Sequence, residues 1–538
     1  MKFSGAHTQQ QIQFIEDRNM GLVRRWNLGC SNHPLRALCS LLVVCGGGLG
    51  LSSEALAVTA QVSGEAAVVG EFLSSMPPKS AEFKGLRRGV RVPLGLRLEG
   101  RASSNVSVFL DLRYNANQYP EVAFPLGNME DTSAGAKTTG NDVNHPFSKF
   151  GGRGEKREWL KVNQAFVQYD SGDAGRFRAG RIPRNWGLGI WLDDEWKPEG
   201  GTRSTSDAIS YTLDFPSELL ATVYWEKISE GSLSSDTDDA DALTGEIVIG
   251  DRGTDGSSSG LSRKLGLAFS KYDHKDSSTE LKILDIFGVF SLGRAGFEAE
   301  LNWPTGKSRS LNYASAGGEA VNPDGSALSR DSQSVEGLNI LMRARYQLGG
   351  GVSAPDRNIK ISQTDATRQR IPTSQAGESQ ILGLTAGYSR GDADAFDNVK
   401  NKDTKVTGIP MHPNVRPAFL MFNPLSADKA GMPGAIVRNV LFARAEYSYE
   451  SAGVGMLTPA VIFARLDQTN TKASAADTNV GGNSNLGFEF DLNYSYRTVD
   501  GLRISLDGGL WVPGGAWETS GVKPETVYGI RATAATFF

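Results

Sequence analysis

Arginines and carboxylates recur at every second residue in many short stretches of this 538-residue chain. Arg97, Glu99 and Arg101 interleave with Leu94, Leu96 and Leu98, and Asp111 and Arg113 with Leu110, Leu112 and Tyr114. Glu298 and Glu300 sit between Phe297, Ala299 and Leu301; Arg343 and Arg345 sit between Met342, Ala344 and Tyr346. The same spacing adds Arg390, Arg444 with Glu446, Arg465 with Asp467, Glu489 with Asp491, Arg497, Arg503 with Asp507, and Arg531. A period of two puts side chains on one face of a strand. Opposed rows of arginines and carboxylates facing a water-filled passage set a transverse field that screens solutes. The chemistry these residues suit is electrostatic filtration rather than bond-making. Neither sign dominates, so no strong anion or cation preference follows. In the alternative arrangement, neighbouring strands neutralise each other's charges and close the interior.

Such charges need strands that hold water on one side and apolar surroundings on the other. Residues 485–498 show the pattern at its clearest. Leu486, Phe488, Phe490, Leu492, Tyr494 and Tyr496 fall on one face, and Gly487, Glu489, Asp491, Asn493, Ser495 and Arg497 on the other. This strand exceeds the usual globular length of about five or six residues and matches the roughly 9–11 residues that cross a bilayer as β-structure. Similar alternation recurs along nearly all of residues 58–538, with short turns and long polar loops interleaved. A soluble sheet rarely buries successive charges, because each is costly without a partner. The fold class read from the sequence is therefore all-β: an antiparallel transmembrane barrel in contact with outer-membrane lipid. It has 18 strands if the weaker segments 58–70 and 244–250 are included and 16 without them. Tyr388, Tyr447, Tyr449, Tyr494, Tyr496 and Trp303 read as girdle residues at the membrane interfaces. Two stretches are candidate lumen plugs, the Pro-rich 409–433 and the long connection 349–378.

Residues 1–57 read as a cleaved secretion signal, with Arg24, Arg25 and Arg36 before the apolar run 37–44 and an Ala55-Leu56-Ala57 cleavage site. Residues 58–538 form a single barrel domain. All three cysteines fall in the signal segment, which removes disulfides and thiol metal sites from the remainder. The chain ends on Phe538, with Tyr528 and Ile530 at alternate positions before it. This resembles the C-terminal signal read by the barrel-assembly machinery of Gram-negative bacteria.

The segment Arg178-Ala-Gly-Arg181-Ile-Pro-Arg184-Asn-Trp186-Gly-Leu-Gly189-Ile is the most distinctive. Gly187 and Gly189 permit close backbone approach, and Trp186 suits an interface anchor. Residues 161–308, with this GR-x-P-x-x-WGLG hairpin and the strand pair 281–303, resemble a deltaproteobacterial outer-membrane β-barrel family. The segment 412–449, beginning His412-Pro413, matches a later part of that family, with Asn414-Val415 where Asp-Tyr is expected. The hairpin is more distantly similar to alginate-export-type porins. The resemblance implies a barrel fold and an outer-membrane location, and no activity.

Other function classes find little support. A net charge of −4 gives no basic footprint for nucleic acid. Beyond residue 57 only His145, His274 and His412 occur, with no catalytic motif, phosphate loop or metal-ligand spacing around them. No enzyme activity, cofactor or metal site is assigned. Two functions remain: a porin-like channel for small hydrophilic solutes through a mixed-charge lumen, or a closed barrel whose surface loops serve adhesion or an envelope complex. The oligomeric state is not encoded in any pattern found.

Overall fold

The computed structural model describes residues 59–74, 87–115, 160–195, 204–215, 218–229, 240–250, 261–274, 279–308, 333–349, 378–391, 405–412, 414–422, 437–451, 453–469, 483–498, 501–518 and 524–538. The signal segment 1–57, residues 350–377 of the long connection, and residues 413 and 423–433 of the Pro-rich stretch lie outside them. The first strands are β1 (Thr59–Leu73), β2 (Arg87–Arg91), β3 (Pro93–Arg101), β4 (Val106–Asn115), β5 (Leu160–Asp170), β6 (Arg176–Pro183) and β7 (Thr205–Phe215). Next come β8 (Leu219–Ser229), β9 (Ala240–Gly250), β10 (Leu261–His274), β11 (Thr279–Leu292), β12 (Ala295–Ser308), β13 (Gln333–Glu336) and β14 (Asn339–Gly349). The last are β15 (Ser379–Ser389), β16 (Lys405–Val406), β17 (Val440–Ser451), β18 (Gly455–Leu466), β19 (Asn485–Arg497), β20 (Arg503–Pro513) and β21 (Val527–Phe537).

These strands form one antiparallel sheet that closes on itself. β1 pairs with β3 on one side and with β21 on the other, in a register running from Glu65↔Phe537 to Leu73↔Gly529. Of the 21 strands, β2 prolongs β3 along β1, β13 prolongs β14 along β12, and β16 adds a two-residue parallel pairing to β13. The remaining 18 make the ring. The count of 16 is excluded because β1 and β9, the two weakly patterned segments, are full members with two neighbours each. Closure leaves no unpaired strand edge, which is what hydrocarbon requires of a spanning sheet.

Side-chain placement follows the alternation. Val223, Trp225, Leu267, Phe269, Phe463 and Phe490 are exposed on the outer face. Their neighbours of opposite parity, Thr222, Glu226, Ala268, Ile462 and Glu489, are buried on the inner face. An apolar outer belt on a closed ring makes this an integral outer-membrane protein of the Gram-negative type. The short connections β5–β6, β11–β12, β17–β18 and β19–β20 start and finish at the same end as Phe538. That end is the periplasmic one; the opposite end is called distal below.

The strand 485–498 departs from strict alternation at one point. Gly487 adopts φ +108° and the β18–β19 register shifts there, so residues 486 and 487 are both buried. The bulge turns Leu486 away from lipid and into the lumen. Its carbonyl accepts hydrogen bonds from Trp511 Nε1 at 3.3 Å and Trp517 Nε1 at 3.2 Å. From Phe488 onward the expected faces hold.

Two substitutions on β19 separate the faces. Phe490→Arg, which puts a charge into lipid, is expected to destabilise the barrel by about 2–4 kcal/mol. Ser495→Arg, of the inward parity near the periplasmic mouth, is expected to cost less than about 1 kcal/mol. Denaturant unfolding in lipid vesicles measures both, and equal losses would reject the assignment.

Candidate functional site: a lumen crossed by two inward segments

Two distal connections leave the wall and fold into the barrel. The first, 184–195, follows β6 directly. Arg184 points across to β8 and β9, where its guanidinium pairs with Glu226 and, at 2.8 Å, with Glu246, while stacking 3.7 Å above the Tyr224 ring. Trp186 is wholly buried; its indole Nε1 donates to Asp285 Oδ1 at 2.8 Å and its ring meets Phe287 edge-on at 5.0 Å. Trp186 is therefore a lumen anchor rather than an interface residue, because Asp285 offers its N–H a buried acceptor. The backbone N–H of Leu188 donates to Glu300, and that of Ile190 does so at 3.5 Å. Gly187 has φ +54°, and a Cβ there would lie 2.7 Å from the Glu300 carboxylate. Glycine is what lets the backbone reach the acid.

The second segment, 409–422, packs against β17–β21 and β1. Phe419 N–H donates to Asp491 at 3.1 Å, and the N–H groups of Leu420 and Met421 donate to the two oxygens of Glu489 at 2.6 and 2.7 Å. Arg444 donates to the Pro417 carbonyl at 2.8 Å. Leu420, Met421 and Phe422 join Leu73, Phe442, Ile462, Leu486, Trp511 and Val527 in one buried cluster. A Cβ on Gly509 or Gly529 would come within 3.0 or 2.8 Å of the Leu420 side chain, so glycines hollow the wall where it seats.

The segments meet. His412 N–H donates to the Ile190 carbonyl at 2.8 Å, and Asn414 Nδ2 donates to Asp193 Oδ2 at 3.0 Å. His412 Nδ1 accepts from the Asn414 N–H at 3.2 Å; its Nε2 lies 3.1 Å from Ser204 Oγ and, in that tautomer, is the donor. A brace thus runs from the β8–β12 wall to the β17–β21 wall. Of the two candidate plugs, the described part of 409–433 enters the lumen; residues 350–377 of the other lie outside the described residues.

The predicted lumen residues divide into four groups. Glu300, Glu489 and Asp491 face inward but are covered by the brace, with exposures of 1%, 0% and 9%. They are backbone acceptors rather than free charges, and such bonds satisfy carboxylates that burial would otherwise penalise. Arg97, Asp111, Arg113, Glu298, Arg343, Arg345, Arg444, Glu446, Asp507 and Arg531 form ion pairs on the inner wall. Arg97 lies 3.6 Å from Asp111, Arg343 and Arg345 lie 3.7 and 3.6 Å from Glu298, and Arg531 lies 2.8 Å from Asp507. Arg113 bridges Asp111 and Glu65, and Arg444 bridges Glu446 and Asp491. Glu99 with Arg101, Arg497 and Arg503 share the inward parity near the periplasmic mouth.

The fourth group is a correction. Arg390 and Arg465 do not face inward. Arg390 follows Tyr388 in parity and reaches Glu336 at 4.0 Å on the outside; Arg465 is exposed in line with Val461 and Phe463. Alternation counted from those neighbours places both at the distal rim, where long cationic side chains extend toward headgroups. Asp467, bonded to the outward Tyr388 hydroxyl at 3.2 Å, goes with them. Tyr528, Ile530 and Phe538 share the outer face, all about half exposed or more.

Sequence reading missed Arg184, Glu226, Glu246, Asp285, Asp193 and His412 as members of the site. Three of the acids left a trace: Glu226, Glu246 and Asp285 each stand among apolar residues within a strand, as Glu246 does in Thr-Gly-Glu-Ile-Val-Ile. Such a residue asks for a buried partner from elsewhere.

No protein-family model matches the chain, and no curated protein is similar to it. Among solved structures it is similar to OccK10 (OpdN) of Pseudomonas aeruginosa, at 12% identity over 89% of this chain and 99% of that one, TM-score 0.42. A BenF-like porin from Pseudomonas fluorescens Pf-5 gives 11% over 89% and 98%, TM-score 0.43. An anion-selective porin from Comamonas acidovorans gives 12% over 89% and 100%, TM-score 0.37. The fold assignment rests on the ring of strands itself.

Glu489→Leu removes both acceptors of the Leu420 and Met421 amides. Each charge-assisted bond contributes about 1.5–3 kcal/mol, so hydrogen exchange at 419–421 is expected to speed up by about tenfold or more while β18–β20 amides stay protected. Unchanged exchange at 419–421 would show that Glu489 does not hold the segment.

Proposed function

We propose that the protein is a porin-like channel that passes small hydrophilic solutes through a water-filled, mixed-charge lumen narrowed by the brace. The observation that carries this reading is the state of the ion pairs on the inner wall. The side chains of Arg343, Arg345 and Glu298 keep 27%, 16% and 14% of their surface open in a recess shared with Ser291 and Gln347. Those of Arg444 and Glu446 keep 19% and 27%. Eighteen strands enclose more space than inward side chains fill, and charged groups that retain surface there favour water. The paired signs leave solute size and polarity, rather than net charge, as the main filter. On this reading the chain is a conduit and not an enzyme.

The same proposal has residues 1–57 removed on export and the barrel inserted by the assembly machinery through Tyr528, Ile530 and Phe538. It also keeps the chain with the deltaproteobacterial outer-membrane barrels that its GR-x-P-x-x-WGLG hairpin resembles. N-terminal sequencing of the membrane form should begin at Val58.

One observation favours the second reading. The brace spans the lumen through direct contacts at His412 and Asn414, which suits a closed scaffold acting through its distal loops. Reversal potentials under a salt gradient separate the two. Arg343→Glu combined with Arg345→Glu should move the preference toward cations if those side chains line the conducting path. An unchanged reversal potential would remove them from it. No conductance in the wild type, nor in a variant lacking 409–422, would favour the scaffold.

A further inference from the structure

The outer face carries a charged patch at its distal rim. On β6–β9 its charges are matched. Arg181 pairs with Asp207 through two contacts of 2.8 Å, and Lys227 lies 3.9 Å from Asp241. On β10–β12 the balance changes. Lys271 and Lys282 are direct cross-strand neighbours, and Lys307 is the cross-strand neighbour of Glu280. All three lysines are exposed and share the outer parity of Phe269, Leu284 and Trp303. Lys271 lies 3.7 Å from Glu280, which is the only acid in ion-pair range of the three among the described residues. The ammonium groups of Lys282 and Lys307 have no ion pair or hydrogen bond among the described residues.

Like charges set directly opposite on a sheet face repel and destabilise it. The Lys271–Lys282 pair persists in a strand pair of unbroken register, fourteen residues on each side, so an anion that neutralises it would be stabilising. The position of the pair says which anion. Phe269, Leu284 and Trp303 form the next outward row toward the membrane centre, two residues or about 6.8 Å below. The ammonium groups of Lys271 and Lys282 therefore stand at the top edge of the apolar belt, with Lys307 one row further out, where a lipid presents its phosphate while its chains lie along the row beneath. Asp273 and Glu280 form the next row on the distal side, level with Lys307, and they leave the membrane-facing approach to Lys271 and Lys282. Free phosphate would find an open, shallow surface with no walls, whereas a lipid is held there by its chains as well.

We propose that Lys271, Lys282 and Lys307 form a docking site for the phosphate of an anionic outer-leaflet lipid. The belt residues beneath receive its acyl chains, and the site holds the β10–β12 arc at a fixed depth in the membrane. The inference depends on the orientation of the barrel and not on whether its lumen conducts.

The test uses the purified, folded full barrel in a mild detergent, with phosphatidic acid as probe and native mass spectrometry as readout. The wild type should retain one or more phosphatidic acid molecules in preference to phosphatidylcholine. Lys271→Gln, Lys282→Gln and Lys307→Gln together should weaken that retention at least tenfold, while Lys227→Gln, outside the cluster, should leave it unchanged. The heat-resistant folded form on gels confirms that each variant is a barrel. Equal retention by the triple variant overturns the proposal. So does equal retention of phosphatidylcholine, or displacement of phosphatidic acid by millimolar inorganic phosphate. A wild-type second barrel bound in place of lipid, and lost in the triple variant, would also overturn it by making the patch a protein interface.

Discussion

Hydrocarbon offers no hydrogen-bond partner to a peptide group, and the rest of this structure follows from that. Each N–H and C=O inside the membrane must find its mate within the protein. For strands, the solution is a ring without edges, and the β1–β21 pairing supplies the closure. Once the ring closes, successive side chains must point alternately to lipid and to the lumen. The chain accordingly alternates apolar residues with residues that tolerate water or a polar partner.

The inner face meets its obligations in two ways. Toward the periplasmic half, arginines pair with carboxylates on adjacent strands and keep part of their surface open. Toward the distal half, carboxylates accept backbone N–H groups from chain that has folded inward. Glu300 does this for 188–190 and Glu489 for 420–421. The physical logic is the same in both places. A buried carboxylate is costly alone, and a peptide segment away from water carries N–H groups that need acceptors. Each resolves the other's deficit, so acids on the wall can hold irregular chain inside a barrel without a helix or strand to organise it. Apolar packing then completes the seat, with Leu420 entering space left by Gly509 and Gly529.

The barrel was legible in the sequence because its alternation is long and repeated. The same residues gave the faces of β19 from Phe488 onward, the ring's weakest members at β1 and β9, and an even strand count. Three features escaped. The bulge at Gly487 reverses parity for a single residue, so Leu486 reads as lipid-facing while it packs inside. Arg390 and Arg465 are charged, and charge alone suggested the lumen; their parity with Tyr388 and Phe463 places them at the outer rim instead. The brace was legible only as an oddity. Trp186 ahead of Gly187-Leu188-Gly189, His412 in a Pro-rich run, and strands apolar on both faces such as Val461-Ile462-Phe463 each have a buried partner distant in sequence. Nothing local in the sequence states which wall will receive them. The signal segment and the assembly residues remain proposals of the sequence.

On the proposed channel reading, the wall carboxylates hold the two inward segments and so set the bore of the lumen. The decisive measurement is the single-channel conductance of Glu300→Gln combined with Glu489→Gln, compared with wild type in the same planar bilayer. Neutral amides keep the size of the side chains and lose the charge-assisted grip, so conductance should rise at least twofold with the barrel's heat resistance retained. An unchanged conductance in a variant that still folds would contradict it.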